Sequence, residues 1–149
     1  MSVEKYIELS KRVPLFRGLS PDDVAKIFAK GMTMDVEKGN AIFYQGTTGN
    51  QMYVVLGGTV ALYDGKKLLT TLRAGDMFGE MALINSEPRS ATAMAAEHCR
   101  LFVLTETTFQ KLMTKHAAIK ILLNIIGTMS KRLREMNAKL VKATEESAQ

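Results

Sequence analysis

The sequence predicts a mainly β domain with helices before and after it, and three observations carry that reading. From Met32 to Thr105, short runs rich in Val, Ile, Tyr, Phe and Leu are separated by turn residues: Lys38-Gly39-Asn40, Gly46 to Asn50, Gly57-Gly58, Asp64-Gly65, Gly75-Asp76 and Pro88. The turns recur at about 8–12 residues, the spacing of a β-sandwich or barrel. No helix of useful length fits between Met32 and Gly75, so α/β crossovers are excluded and the strands should be largely antiparallel. Outside this span, apolar residues recur at helical intervals.

Residues 2–12 read as a short amphipathic helix with Val3, Ile7 and Tyr6 on one face. Val13-Pro14-Leu15-Phe16 breaks it and should tuck two apolar side chains against the body. Ser20-Pro21-Asp22-Asp23 is a helix start: Ser20 caps, Pro21 takes the first position, and the aspartates complement the positive helix end. Val24, Ile27 and Phe28 form that helix's apolar face, and Gly31 ends it. Within the β region, Asp64-Gly65 between Val60–Tyr63 and Lys67–Leu72 is a hairpin turn, and Arg100 to Leu104 is the last strand.

Thr105 caps a helix containing Phe109, Leu112 and Met113, and a longer helix begins near His116. In the long helix Leu122, Ile126, Met129, Leu133, Met136 and Leu140 make a heptad seam, which Ile119 extends. Ile121, Leu123 and Ile125 lie off the seam and need a second surface, most simply the β region. Lys131, Arg132, Arg134, Glu135 and Lys139 are expected to face out. A dimeric coiled coil is the reading preferred over a lone packed helix, and the polar tail from Ala143 is expected to fray.

At 149 residues, with 46% hydrophobic and 23% charged residues, the chain fits one soluble globular domain. No apolar run is long enough to span a membrane, and the charged start, Met-Ser-Val-Glu-Lys, lacks a secretory h-region. The single Cys99 has no internal disulfide partner and reads as a small buried hydrophobe, which points to a reducing, cytoplasmic setting. A net charge of +5 permits an anionic ligand but is too mild to argue nucleic acid alone. His98 and His116 share no motif, and no His-rich strand signature of a metal-dependent jelly-roll enzyme is present. Neither a catalytic residue nor a metal ligand is expected, so an enzyme is not.

The chemistry is concentrated from Gly75 to Thr92. Gly79 lets backbone approach a ligand. The N–H groups at the start of a short helix near Met81 and Ala82 would point at negative charge. Arg89 can pair with a phosphate through two parallel N–H bonds. Glu80 can accept from a sugar hydroxyl but would repel a phosphate, so the two charges should hold opposite ends of one ligand. The bland alternatives are a solvated loop arginine and a helix-start carboxylate.

Phe78-Gly79-Glu80-Met81-Ala82-Leu83 followed by Pro88-Arg89-Ser90-Ala91-Thr92 resembles the phosphate-binding cassette of the cyclic nucleotide-binding domain family. The pattern Gly46-x-x-Gly49-x-x-Met52-Tyr53-Val54-Val55-x-x-Gly58 is similar to that family's glycine-and-strand signature. The likeness runs from about Val13 to about Leu140.

The resemblance implies an eight-stranded antiparallel β jelly roll with N-terminal helices and two C-terminal helices, the last serving as lid and dimerisation helix. It implies one domain over 1–149: helices in 1–31, a β-roll over 32–105 with the cassette at 78–92, and C-terminal helices over 106–142. Its ligand would be cyclic AMP, with cyclic GMP the alternative and no further cofactor required. By the same resemblance Glu80 would bind the ribose 2′-hydroxyl, Arg89 the exocyclic phosphate oxygens, and Gly79 would lie near the ribose. Backbone N–H groups around Met81, Ala82, Ser90 and Ala91 would complete the cradle. Leu133, Arg134, Met136 and Asn137 are the lid candidates, as in bacterial members of the catabolite-activator type.

Those members continue into a helix-turn-helix. Here only a few polar residues follow Lys142, so direct DNA binding is not expected. The implied partners are the nucleotide, a second copy through the last helix, and an unidentified downstream protein. A dimerisation module that has lost its ligand is the competing reading.

Overall fold

Eight strands pair into two four-stranded sheets, and every described pairing is antiparallel. One sheet has the order β1 (Met32–Val36), β8 (Cys99–Thr105), β3 (Gln51–Gly57), β6 (Met77–Phe78). The other has the order β2 (Ala41–Phe43), β7 (Thr92–Ala95), β4 (Val60–Asp64), β5 (Lys67–Leu72). This is the expected jelly roll. The computed structural model describes Glu4, Glu8 and residues 11–83, 87–112 and 115–147. Of the expected first helix, Val3, Tyr6 and Ile7 lie outside the described residues, as do Ile84 to Ser86 of the cassette, Met113 and the side chains of Leu112 and His116.

β3 and β8 are buried on both faces, which explains why their sequences are continuously apolar rather than alternating. Tyr53, Val55, Leu101 and Val103 point between the sheets, where they meet Val60, Leu72, Phe78 and Ala93. Met52, Val54, Phe102 and Leu104 point the other way, into a second core shared with the helices. Burying each such side chain is worth about 1.5–3 kcal/mol, so these two strands join the roll to its helical cover. The β4–β5 ladder closes at Asp64 and Lys67. The turn is therefore Gly65-Lys66, one residue later than expected, with Gly65 at φ +59°.

Pro14–Phe16 forms a 3₁₀ turn that buries Leu15 and Phe16. Helix α1 (Pro21–Lys30) starts as its sequence predicts: the Ser20 hydroxyl accepts from the Asp23 N–H at 3.2 Å. Gly31 ends it, but at φ −79° rather than in the left-handed region. The reason for glycine there is space, since a Cβ would stand 2.3 Å from the Phe102 ring. Phe28 packs on Phe16 and Phe102, with ring centroids 5.4 and 4.5 Å away.

Thr105 caps α2 (Glu106–Leu112) by accepting from the Thr108 N–H at 3.1 Å. Helix α3 (Lys115–Ser147) buries Ile121 and Ile125 completely. Asn124 donates to the carbonyls of Leu15 and Arg17 at 3.0 and 2.8 Å, tying α3 to the 3₁₀ turn.

Three expectations for this helix are corrected. Leu123 does not reach the roll: it is 58% exposed, because Ile121 and Ile125 already fill the contact face. The tail does not fray at Ala143. The helix continues through Ser147, as residues of good helix propensity extend an existing helix at little cost. Arg132 does not face out but reaches the cassette. Ile126, Leu133, Met136 and Leu140 of the seam are exposed. No helix among the described residues is long and apolar enough to cross a membrane.

Candidate functional site

The cassette leaves β6 at Gly79, whose φ of +73° suits glycine alone. A Cβ there would also meet Arg89 Nη1 at 2.8 Å and the Gln51 carbonyl at 3.2 Å. Glu80–Leu83 then makes a single 3₁₀ turn. The Ala82 N–H, expected to stand free, donates to the Gly79 carbonyl at 3.2 Å, because a 3₁₀ turn bonds three residues back. Ala82 and Ala91 are buried, while Met81 and Ser90 are exposed.

Arg89 is fixed from several directions. Its backbone N–H donates to Thr47 and its carbonyl accepts from Gly46, both at 2.8 Å, so the turn after β2 pins the chain. Its guanidinium donates to the Gln51 carbonyl at 2.7 Å and to the Gly79 carbonyl at 3.3 Å. Gly49 leaves the room for this, since a Cβ there would stand 2.6 Å from Arg89 Nη2. The guanidinium lies over the Phe43 ring, 4.3 Å from its centroid, with Tyr53 at 6.0 Å. Phe43, Tyr53 and Phe78 pack together, the last two stacked at 5.1 Å. Burial lowers the pKa of Arg89 and raises that of Tyr53, and each partly offsets the other's shift. A guanidinium carries five N–H donors and stays charged; those not given to carbonyls can receive an anion.

Among the described residues Glu80 is the buried charged residue, 6% exposed. Its Oε1 accepts from Arg132 Nη1 at 2.5 Å, and Arg132 Nη2 donates to the Met77 carbonyl. Glu80 and Arg89 thus both adjoin Gly79, one in sequence and one through its carbonyl, but have separate side-chain partners: Arg132 on the last helix for Glu80, the carbonyls of Gly79 and Gln51 for Arg89. A ligand with an anionic end and a hydroxyl end matches that polarity.

Arg132 was legible in principle. It lies seven residues beyond Ile125 and eleven beyond Ile121, so it continues the helix face that packs on the roll. Phe43 and Gln51 carry no such signal. The lid candidates are not brought onto Arg89. Leu133, Arg134, Met136 and Asn137 line a groove of about 1290 Å³ between α3 and β5 that neither Arg89 nor Glu80 lines.

Residues 33–116 match the family described as cyclic nucleotide-binding domain. The cyclic AMP receptor protein of Thermus thermophilus is 32% identical over 135 residues, covering 87% of this chain and 62% of that protein. The cAMP-dependent protein kinase regulatory subunit of Hypocrea atroviridis is 30% identical over 108 residues, covering 72% of this chain and 23% of that protein. The chain therefore spans less than two thirds of either relative. The crystal structure of the Thermus thermophilus catabolite activator protein superposes with a TM-score of 0.75 at 32% identity, over 85% of this chain and 61% of that one. The cassette, the two sheets that carry it and the match across both place this chain in the cyclic nucleotide-binding domain family.

Proposed function

We propose that residues 1–149 form one non-catalytic regulatory module that binds cyclic AMP and reports it through its last helix. The observation that carries this is that Arg89 is anchored on the Gly79 carbonyl while Glu80, next to Gly79 in the chain, is buried and held by Arg132. Arg89 takes the exocyclic phosphate oxygens, aided by Ser90 and by N–H groups near Met81 and Ala91, the Ala82 N–H being already given to the Gly79 carbonyl. Gly79 lies against the ribose, and Glu80 accepts from its 2′-hydroxyl. Both relatives above are named for cyclic AMP, which supports adenine over guanine.

Because Glu80 is bonded to Arg132, a ribose hydroxyl that shares this carboxylate changes what holds α3. The helix then shifts over the base, with Leu133, Arg134, Met136 and Asn137 as the covering residues. Only a difference in affinity between the two helix positions can drive that shift. The exposed seam of α3 takes a second copy, and the altered surface is read by a downstream protein in the cytoplasm.

Thermal unfolding with each nucleotide tests the reading. Cyclic AMP at a hundredfold its Kd should stabilise the protein by about 2.7 kcal/mol. No shift with either nucleotide would leave a dimerisation module, and a larger shift with cyclic GMP would reverse the base preference.

A further inference from the structure

We infer that Phe43 is a positioning residue for the phosphate-binding arginine, setting the plane of the Arg89 guanidinium by stacking under it. The inference rests on the proposed function and names a part of that same site. β2 pairs with β7 through Ala41–Met94 and Phe43–Ala93, so two steps on β2 oppose one on β7. A bulge of this kind breaks the alternation of a strand. Ile42 and Phe43, adjacent in sequence, consequently both pack against the core between the sheets. Without the bulge one of the two would point to the outside. The bulge delivers the Phe43 ring to Arg89, with its centroid 4.3 Å from Cζ.

The two kinds of contact divide the guanidinium between them. The carbonyls of Gly79 and Gln51 take N–H groups at its edge, on Nη1 and Nη2. Two such bonds leave it free to rock about the line joining them. Phe43 sets its ring under the guanidinium carbon, 4.3 Å away, and in this inference that contact removes the rocking. Tyr53 and Phe78 hold the Phe43 ring in turn, at 5.9 Å each. A carboxylate at this place would also orient an arginine, but it would neutralise the charge and compete with a phosphate. A ring attracts the cation through its quadrupole and leaves the net charge in place.

The test compares Phe43→Leu, which keeps an apolar side chain, with Phe43→Tyr, which keeps the ring. Cyclic AMP affinity is measured by calorimetry in the wild-type and Arg89→Lys backgrounds. Loss of the ring should weaken binding about tenfold in Phe43→Leu, while Phe43→Tyr should stay within about threefold of wild type. In the Arg89→Lys background, where no plane exists to be set, Phe43→Leu should cost less than about threefold. The Arg89 Nε–H proton should resonate upfield in the wild type and in Phe43→Tyr, shifted by the ring beneath it.

Equal losses for Leu and Tyr, the same loss in both backgrounds, or an Arg89 resonance at the ordinary arginine position would overturn the inference. If Phe43→Leu does not fold, the wild-type resonance and the Phe43→Tyr affinity decide it. If Arg89→Ala binds as wild type does, the proposed site itself is wrong. If Arg89→Ala loses binding while Phe43→Leu keeps it, only the role of Phe43 falls.

Discussion

Arg132, on the last helix, holds the buried carboxylate of Glu80 in the cassette, with Nη1 2.5 Å from Oε1 although the two lie 52 positions apart in the chain. One charge is buried and the other is partly in water, at 8% and 37% side-chain exposure. The pair links the cassette directly to α3. Removing Arg132 leaves Glu80 buried without its cation. Arg132→Ala should therefore lower stability by about 1–3 kcal/mol, discounted for the solvent that already reaches the arginine. Urea unfolding of this variant beside wild type measures it; a midpoint unchanged at equal slope would mean that the pair contributes nothing.

Gly49 and Gly57 separate space from backbone strain. Neither has a positive φ, yet a Cβ at Gly49 meets the Arg89 guanidinium and one at Gly57 meets nothing within 4 Å. The guanidinium can swing away, so Gly49→Ala should change stability by less than about 1 kcal/mol. It should still weaken cyclic AMP binding by about tenfold or more, because the donors are displaced. Gly57→Ala should leave affinity unchanged. Calorimetry on both variants distinguishes the two positions.

The roll was legible because its turns are written in residue types: Gly65 and Gly75 take the positive φ that glycine supplies, and Ser20 caps α1 as its hydroxyl permits. Glu80 and Arg89, nine residues apart, stood out in the sequence by residue type; the burial of the one and the anchoring of the other are seen only in the structure. Arg132 was missed because the heptad describes contacts with a second copy, whereas its partner lies in its own chain. Leu123 failed for the converse reason: being apolar and off the seam does not ensure that a surface is there to meet it. The Phe43 contact depends on a bulge, which changes the face of a residue without changing its type.

The seam of α3 exposes Ile126, Leu133, Met136 and Leu140 on one side of the helix. If a second copy covers them, Leu133→Glu places a charge in each half of an apolar seam. The protein should then sediment as a monomer at concentrations where wild type is a dimer. Equal sedimentation of the two would remove the last helix from the interface.

Cys99 is fully buried, and its thiol donates to the carbonyls of Thr59 and Glu97 at 3.0 and 3.2 Å. Burial raises its pKa, since the thiolate would lose its hydration. The unfolded chain thus releases this proton at a lower pH than the folded one. Its contribution to stability is complete below the ordinary thiol value of 9.0 and is lost as pH rises from there through the folded value. Chemical unfolding of wild type and Cys99→Ala across this range should show a steeper alkaline decline for wild type. Parallel declines would assign the loss to other groups.

The central claim is that Arg89, held on the carbonyls of Gln51 and Gly79, receives the phosphate of a cyclic nucleotide. Calorimetric titration of cyclic AMP into wild type and Arg89→Ala tests it most directly. The account predicts a loss of about 2–5 kcal/mol of binding free energy in the variant, the cost of stripping a partly desolvated anion of its cation. Equal affinity in the two proteins would contradict it.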